Sequence, residues 1–364
     1  MKCLTIVGAR PQFIKAAVVS KALSSLSNVQ EIFLHTGQHY DQSMSEIFFE
    51  ELDIPEPHYN LNVGSGAHGK QTGKMLMSIE EVLIEESPDI VVVYGDTNST
   101  LAGGLAAAKL HIPIAHIEAG LRSFDRKMPE EVNRVLTDHL ATILLTPTEL
   151  AMKNLIKEGI SGTAIHNVGD VMYDAALYFA DKAERQSHVL KQLDIQPQEF
   201  LLATVHRAEN TNNSNRLESI FSALIQISHK INVVVPLHPR TRKALKKAHL
   251  LEKVNKSLTV IDPVGYLDMI LLEKNAALIA TDSGGIQKEA FFYRVPCATL
   301  RENTEWEELV SLGWNTLVSP NNDSEQISDT LQSLIKTSGE LDSEPYGNGR
   351  ASQKISRILA SQSY

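Results

Sequence analysis

The feature that most constrains this chain is an alternation, sustained from end to end, of short runs rich in β-branched residues with longer helix-like stretches. Parallel strands cannot be joined by tight hairpins. Each needs a crossover of a dozen or more residues, usually a helix, so the alternation predicts an α/β fold built on parallel sheets. In the first half, strands are expected near residues 3–8, 31–36, 89–95, 112–118, 142–146 and 164–168. In the second half they are expected near 199–206, 232–238, 257–262, 276–281, 296–300 and 315–319. Two intervening segments open with proline at a first helical position, Pro11 and Pro129, and Glu130 and Glu131 sit where the helix dipole favours acids. The chain has 364 residues, more than one core usually organises, and the pattern restarts midway. Two nucleotide-binding-type sheets facing each other are therefore expected. The expected domains are 1–169 with a closing helix at about 350–364, and 170–349. A polar stretch at 181–198 lets the break fall anywhere from Gly169 to Gln198.

Composition narrows the partners. Lys plus Arg is 34 against 44 Asp plus Glu, a net charge of −10, which argues against wholesale contact with nucleic acid. A small anion remains compatible, because local arginines and helix N-termini can reverse the potential inside a cleft. Cys3 and Cys297 are too few for a disulfide framework or a Cys-rich zinc site, as suits a reducing compartment. The apolar run from Cys3 to Val7 is too short for a signal peptide or a membrane span, so a cytoplasmic protein without a membrane partner is expected.

Open parallel sheets bind ligands at the carboxyl ends of their strands. At those ends stand Gly8-Ala9-Arg10, His35-Thr36-Gly37-Gln38-His39, Gly95-Asp96-Thr97 and His116-Ile117-Glu118-Ala119-Gly120. The second half adds Val205-His206-Arg207, Leu237-His238-Pro239-Arg240 and Asp282-Ser283-Gly284-Gly285. Any one of these is as readily a cap or a turn; their recurrence at successive strand ends points to a site. The Ser283-Gly284-Gly285 turn precedes a helix whose first N–H groups can hold phosphate oxygens, and Glu289, further along, can reach a ribose hydroxyl. Arg10 and His206 can stabilise a departing diphosphate. Asp96, Glu118 and Glu131 are candidates for proton transfer if burial tunes them. Metal binding is the rival use of these acids, but no His-Glu-x-x-His or EF-hand spacing is present. Neither a Gly-x-Gly-x-x-Gly fingerprint nor a P-loop occurs, so neither NAD nor ATP is expected.

Seven segments, read in order, resemble the UDP-N-acetylglucosamine 2-epimerase family over almost the whole chain. They are Gly8–Gln12, Thr36–His39, Gly95–Thr100, His116–Arg122, Pro129–Arg134, His206–Asn210 and Asp282–Gln287. The resemblance implies two Rossmann-like domains facing a cleft, of the GT-B type, with UDP in the cleft and the last helix returned to the first domain. It implies inversion at C2 of a UDP-2-acetamido sugar without NAD or metal: UDP is eliminated, a 2-acetamidoglycal stays bound, and UDP adds back. It implies Asp96, Glu118, Glu131 and His206 as catalytic positions, with Glu118 favoured as the C2 base, Asp96 supporting it and Glu131 acting on the other face. Arg10, Ser283, Gly284, Gly285 and Glu289 fall on UDP contacts. Relatives bind a second UDP-sugar as an activator, and Lys70, Gln71, Arg207 and His238 lie where that site would be. A homodimer is also implied.

Two departures bear on substrate. Common family members carry Glu where this chain has Lys288 and Arg where it has Trp306. Both residues are more similar to the branch acting on UDP-2,3-diacetamido-2,3-dideoxy-glucuronate, a precursor of surface polysaccharide, and an added cation suits a substrate carboxylate. The alternatives are plain UDP-N-acetylglucosamine, a hydrolysing epimerase, a glycosyltransferase and a non-catalytic UDP-sugar sensor.

Overall fold

A computed structural model describes residues 1–38, 56–335 and 337–361, except for the side chain of Arg10. His39 lies outside the described residues. The chain divides into two compact units, 1–178 with 344–364, and 179–343.

The first unit holds β1 (Lys2–Val7), β2 (Gln30–His35), β3 (Tyr59–Asn60), β4 (Ile90–Tyr94), β5 (Ile114–Ile117), β6 (Ile143–Thr146) and β7 (Ile165–Asn167). They form one sheet in the order β3-β2-β1-β4-β5-β6-β7, and every pairing among the described residues is parallel. Because helices cover both faces of such a sheet, its central strands are apolar without alternation. In β4 all of Ile90-Val91-Val92-Val93-Tyr94 is buried. Ile6, Leu34 and Val93 pack against Met75 and Ile79 of the helix His68–Glu86. The closing helix Ala351–Ser361 belongs to this unit and packs on the helix Arg10–Ser24. Asp174 fastens its start, accepting from the N–H groups of Ala351 (2.9 Å) and Ser352 (2.7 Å).

The second unit repeats the plan with β8 (Phe200–Thr204), β9 (Asn232–Pro236), β10 (Thr259–Ile261), β11 (Leu278–Thr281), β12 (Cys297–Thr299) and β13 (Asn315–Leu317). Their order is β10-β9-β8-β11-β12-β13, again parallel throughout. The expected α/β architecture of two parallel sheets is therefore present. The two-residue β3 escaped the sequence reading because so short a strand shows no periodicity.

In both sheets the direction of winding reverses beside the first strand, between β1 and β4 and between β8 and β11. At such a switch point adjacent loops part to opposite faces and open a crevice at the carboxyl edge. The segments at Gly8, Gly95, His206 and Asp282 follow those four strands. Gly8 shows how tightly the first crevice is built: a Cβ there would lie 2.1 Å from Ser99 Oγ and 2.3 Å from Thr36 Oγ1.

Candidate active site

In the first unit the three candidate carboxylates converge on two cations. Glu118 follows β5 with φ +73°, a left-handed conformation that costs a non-glycine residue energy and that persists where the surroundings over-determine it. Its carboxylate is ion-paired with Lys15, which the helix Arg10–Ser24 carries within the run Phe13–Val19, buried throughout and apolar apart from this lysine. Arg134 reaches the other two, with Nη2 2.6 Å from Asp96 Oδ2 and Nη1 3.2 Å from Glu131 Oε2. Against the cost of burial, the charges of Asp96 and Glu118 and the bond to Glu131 keep this guanidinium firmly ionised. Three carboxylates and two cations leave a local charge of −1 when all are ionised, an environment that favours a developing cation.

The three acids differ in access. The side chain of Asp96 is 30% exposed and that of Glu118 13%, whereas that of Glu131 is 2% exposed. Glu131 accepts from Ser123 N–H (2.8 Å), Ser123 Oγ (2.9 Å) and Phe124 N–H (3.1 Å). Burial alone would raise its pKa, but these donors and Arg134 outweigh burial and hold it below the usual carboxylate range. Such a group keeps its charge and fixes its neighbours; it is poorly suited to the acid or base work expected of it on the second face.

The backbone around Glu118 and Asp96 is braced from behind. His116 contacts Asp138 through Nδ1 (2.6 Å) and the Gly95 carbonyl through Nε2 (2.7 Å), with both side chains fully buried. Asp138 also accepts from Gly120 N–H (3.1 Å) and Arg122 Nη1 (2.7 Å). Asn133 donates to the Asp96 carbonyl at 2.9 Å and to Asn98 Oδ1 at 3.2 Å, and Asn98 donates to Gln71 Oε1 at 2.8 Å. Gln71, expected at a second ligand site, is thus buried and tied into the support of Asp96, while Lys70 beside it is exposed. The Arg10 side chain lies outside the described residues. A separate cavity of about 560 Å³, lined in part by Lys21, Glu31, Phe33, His58 and Tyr178, contains none of these groups.

In the second unit, Asp282 organises the crevice. Fully buried, it accepts from the N–H groups of His206 (3.0 Å) and Arg207 (3.0 Å) and from Asn210 Nδ2 (3.0 Å), and His206 Nδ1 lies 3.7 Å from its Oδ1. The His206 ring stays 41% exposed, with the His238 ring centroid 5.8 Å away. Burial, then the nearby charges of His206 and Arg240, hold His238 below the ordinary histidine range. Ser283 precedes the helix Gly284–Phe292 without capping it, so its hydroxyl and the first-turn N–H groups are available to an anion. A Cβ at Gly285 would stand 4.0 Å from both Ser283 Oγ and Glu289 Oε2, which brings the nucleotide candidates together on one turn. Burial raises the Glu289 carboxyl, and Lys288 pulls it the other way.

Lys288 is 5% exposed rather than solvated. Its ammonium lies 4.5 Å from the centre of the Trp306 ring, and Trp306 Nε1 donates to the Gly284 carbonyl at 2.9 Å. The two substituted positions thus form one unit against the phosphate-type turn. Lys15, Asn133, Arg134 and Glu305 were not singled out from sequence. A lysine within the apolar run Phe13-Ile14-Lys15-Ala16-Ala17-Val18-Val19 was the readable signal for the first. Among the described residues no cluster of three or more His, Cys, Asp or Glu is arranged to hold a metal ion, and no helix is long and apolar enough to cross a membrane.

Comparison with known proteins identifies the family. Residues 21–360 match the family model described as UDP-N-acetylglucosamine 2-epimerase. The chain is 56% identical to a UDP-N-acetylglucosamine 2-epimerase homolog of Methanococcus maripaludis and 53% identical to the UDP-2,3-diacetamido-2,3-dideoxy-D-glucuronate 2-epimerase of Pseudomonas aeruginosa, each over 99% of both chains. It superposes on the crystal structure of Methanocaldococcus jannaschii UDP-GlcNAc 2-epimerase in complex with UDP-GlcNAc and UDP with a TM-score of 0.86, at 47% identity and full coverage of both chains. A family match over most of the chain, carried on two Rossmann-like sheets of the GT-B type, makes this protein an isomerase of the UDP-N-acetylglucosamine 2-epimerase family.

Proposed function

We propose that this chain inverts C2 of a UDP-2-acetamido sugar without hydrolysis, by eliminating UDP to a 2-acetamidoglycal and adding UDP back after protonation on the other face. The observation that carries this reading is the convergence of Asp96, Glu118 and Glu131 on Lys15 and Arg134 at the carboxyl edge of a parallel sheet. A C2 proton with no adjacent carbonyl is weakly acidic, so departure of the diphosphate must lead, with cationic character developing at C1. The net-negative cluster stabilises that charge. Glu118, ion-paired with Lys15, takes the C2 proton. Asp96, the more exposed acid, serves the other face, and Glu131 acts through Arg134 as a positioning residue. Ser283, Gly284 and Gly285 bind the diphosphate, Glu289 the ribose, and His206, oriented by Asp282, the leaving oxygen; Arg10 is a further diphosphate contact. Neither NAD nor a metal takes part.

For the substrate we propose UDP-2,3-diacetamido-2,3-dideoxy-glucuronate, converted to its manno epimer in the cytoplasm. The 53% identity to the Pseudomonas enzyme supports it, as does the cation that Lys288 adds beside the nucleotide turn. Plain UDP-N-acetylglucosamine is the second reading, supported by the 47% identity to the Methanocaldococcus enzyme. Lys70, Gln71 and His238 are proposed as contacts of a second, activating UDP-sugar; Arg207, expected with them, stands 3.8 Å from the position of a Cβ at Gly284 and is proposed as a contact of the nucleotide at that turn.

The test is incubation with each sugar in heavy water, with a chelator present, followed by NMR. Deuterium at C2 of both epimers, with no accumulation of free UDP and free sugar, is the expected result. Turnover without C2 exchange would overturn the mechanism, and a strong preference for the uncharged sugar would overturn the substrate.

A further inference from the structure

At the nucleotide turn of the second unit a carboxylate already stands where an anion is expected. A Cβ added at Gly284 would lie 2.5 Å from Glu305 Oε1, so the Glu305 carboxylate rests against the first turn of the helix Gly284–Phe292. Two arginines hold it there. Arg301 Nη1 donates to Oε2 at 2.7 Å, and Arg207 Nη2 stands 3.6 Å from Oε1 and 3.8 Å from the same Gly284 position. Among the described residues Glu305 is the one carboxylate within ion-pair reach of either guanidinium. Lys288, the other nearby cation, faces the Trp306 ring, and Asp282 is occupied by backbone N–H groups.

The backbone on either side of Glu305 is fastened to the helix independently of its side chain. Thr304 Oγ1 donates to Gln287 Oε1 at 2.6 Å, and Trp306 Nε1 to the Gly284 carbonyl at 2.9 Å. Arg301 is walled in, with 11% of its side chain exposed, whereas Glu305 is 38% exposed. The carboxylate can therefore turn out to solvent on its own torsions while the arginines and the turn stay in place.

We propose that Glu305 is a positioning residue that stands in for the diphosphate, holding Arg207 and Arg301 at the turn until the nucleotide takes over both guanidinium groups. This rests on reading the turn as the nucleotide site. Two neighbouring cations without a counter-ion repel each other, and the stand-in offsets that repulsion until the nucleotide binds. It also selects by charge: a diphosphate, with several acceptor oxygens, outcompetes one carboxylate, whereas a neutral nucleoside gains nothing from displacing it.

The experiment is calorimetric titration of wild type, Glu305→Gln and Glu305→Ala with UDP, UMP and uridine at low and high salt, after thermal melts establish that the variants fold. Removing one carboxylate charge beside the diphosphate should tighten UDP binding by roughly fivefold to tenfold at low salt. The gain should be smaller for UMP, absent for uridine, reduced by salt and shared by both variants. Unchanged or weaker UDP binding, or an equal shift for all three ligands, would overturn the stand-in role. Wild type binding UDP no more tightly than uridine would overturn the nucleotide reading itself, which separates the two failures.

Discussion

Glu118 and Lys15 form the smallest unit of the proposed chemistry. The carboxylate sits on a backbone held at φ +73°, and its partner rises from a helix whose residues Phe13 to Val19 are all buried. Replacing Glu118 by Gln keeps size and hydrogen-bonding capacity while removing the proposed base. We expect a folded protein with at least roughly a hundredfold lower rate of C2 exchange, the order associated with losing a general base. Exchange at a near-normal rate would remove Glu118 from that role. Sequence singled out Asp96, Glu118 and Glu131 by residue type and position, since each follows a strand or opens a helix. It could not separate their environments. The saturation of Glu131 by Ser123 and Phe124 comes from a loop folding back on a helix, and the 30% exposure of the Asp96 side chain depends on the packing around it; neither leaves a local signature.

At the scale of elements, the helices Tyr266–Asn275 and Gly284–Phe292 pack together and place Glu273 where no solvent reaches. Neither of its carboxylate oxygens has a hydrogen-bond partner among the described residues. Burial first, and then the charge of Glu289, raise its pKa well above the ordinary value. The folded state therefore retains a proton that the unfolded chain releases. Stability is greatest below the unfolded pKa and declines as pH rises from there toward the higher folded value. Glu273→Met, similar in length and unable to ionise, removes that decline. Its melting temperature should exceed that of wild type by more at pH 8 than at pH 5.5, at roughly 2–4 °C for each kcal/mol of ionisation cost removed. A difference independent of pH would show that Glu273 is already ionised in the fold. Nothing in the run Leu271-Leu272-Glu273-Lys274-Asn275 says which side of it meets a second helix.

For the whole molecule, the family resemblance implies a homodimer, and sedimentation equilibrium of the purified chain should return twice its 40.2 kDa mass; a monomer at micromolar concentration would refute that. The division at Tyr178–Phe179 falls inside the continuous helix Val171–Gln186, so no composition shift or linker could have marked it. What the sequence determined by itself was the class of architecture and the edge at which its polar strand ends gather. Hydrophobic runs joined by helical crossovers permit little except parallel sheets, and parallel sheets gather their polar strand ends at one edge. What only the tertiary structure decided was pairing: Lys15 with Glu118 across 103 residues, Arg134 with Asp96 across 38, and Lys288 with Trp306. Residue identity and spacing fix what a side chain can do along its own element. Its charge state and partners are set by whatever packing brings against it, and that depends on the whole fold.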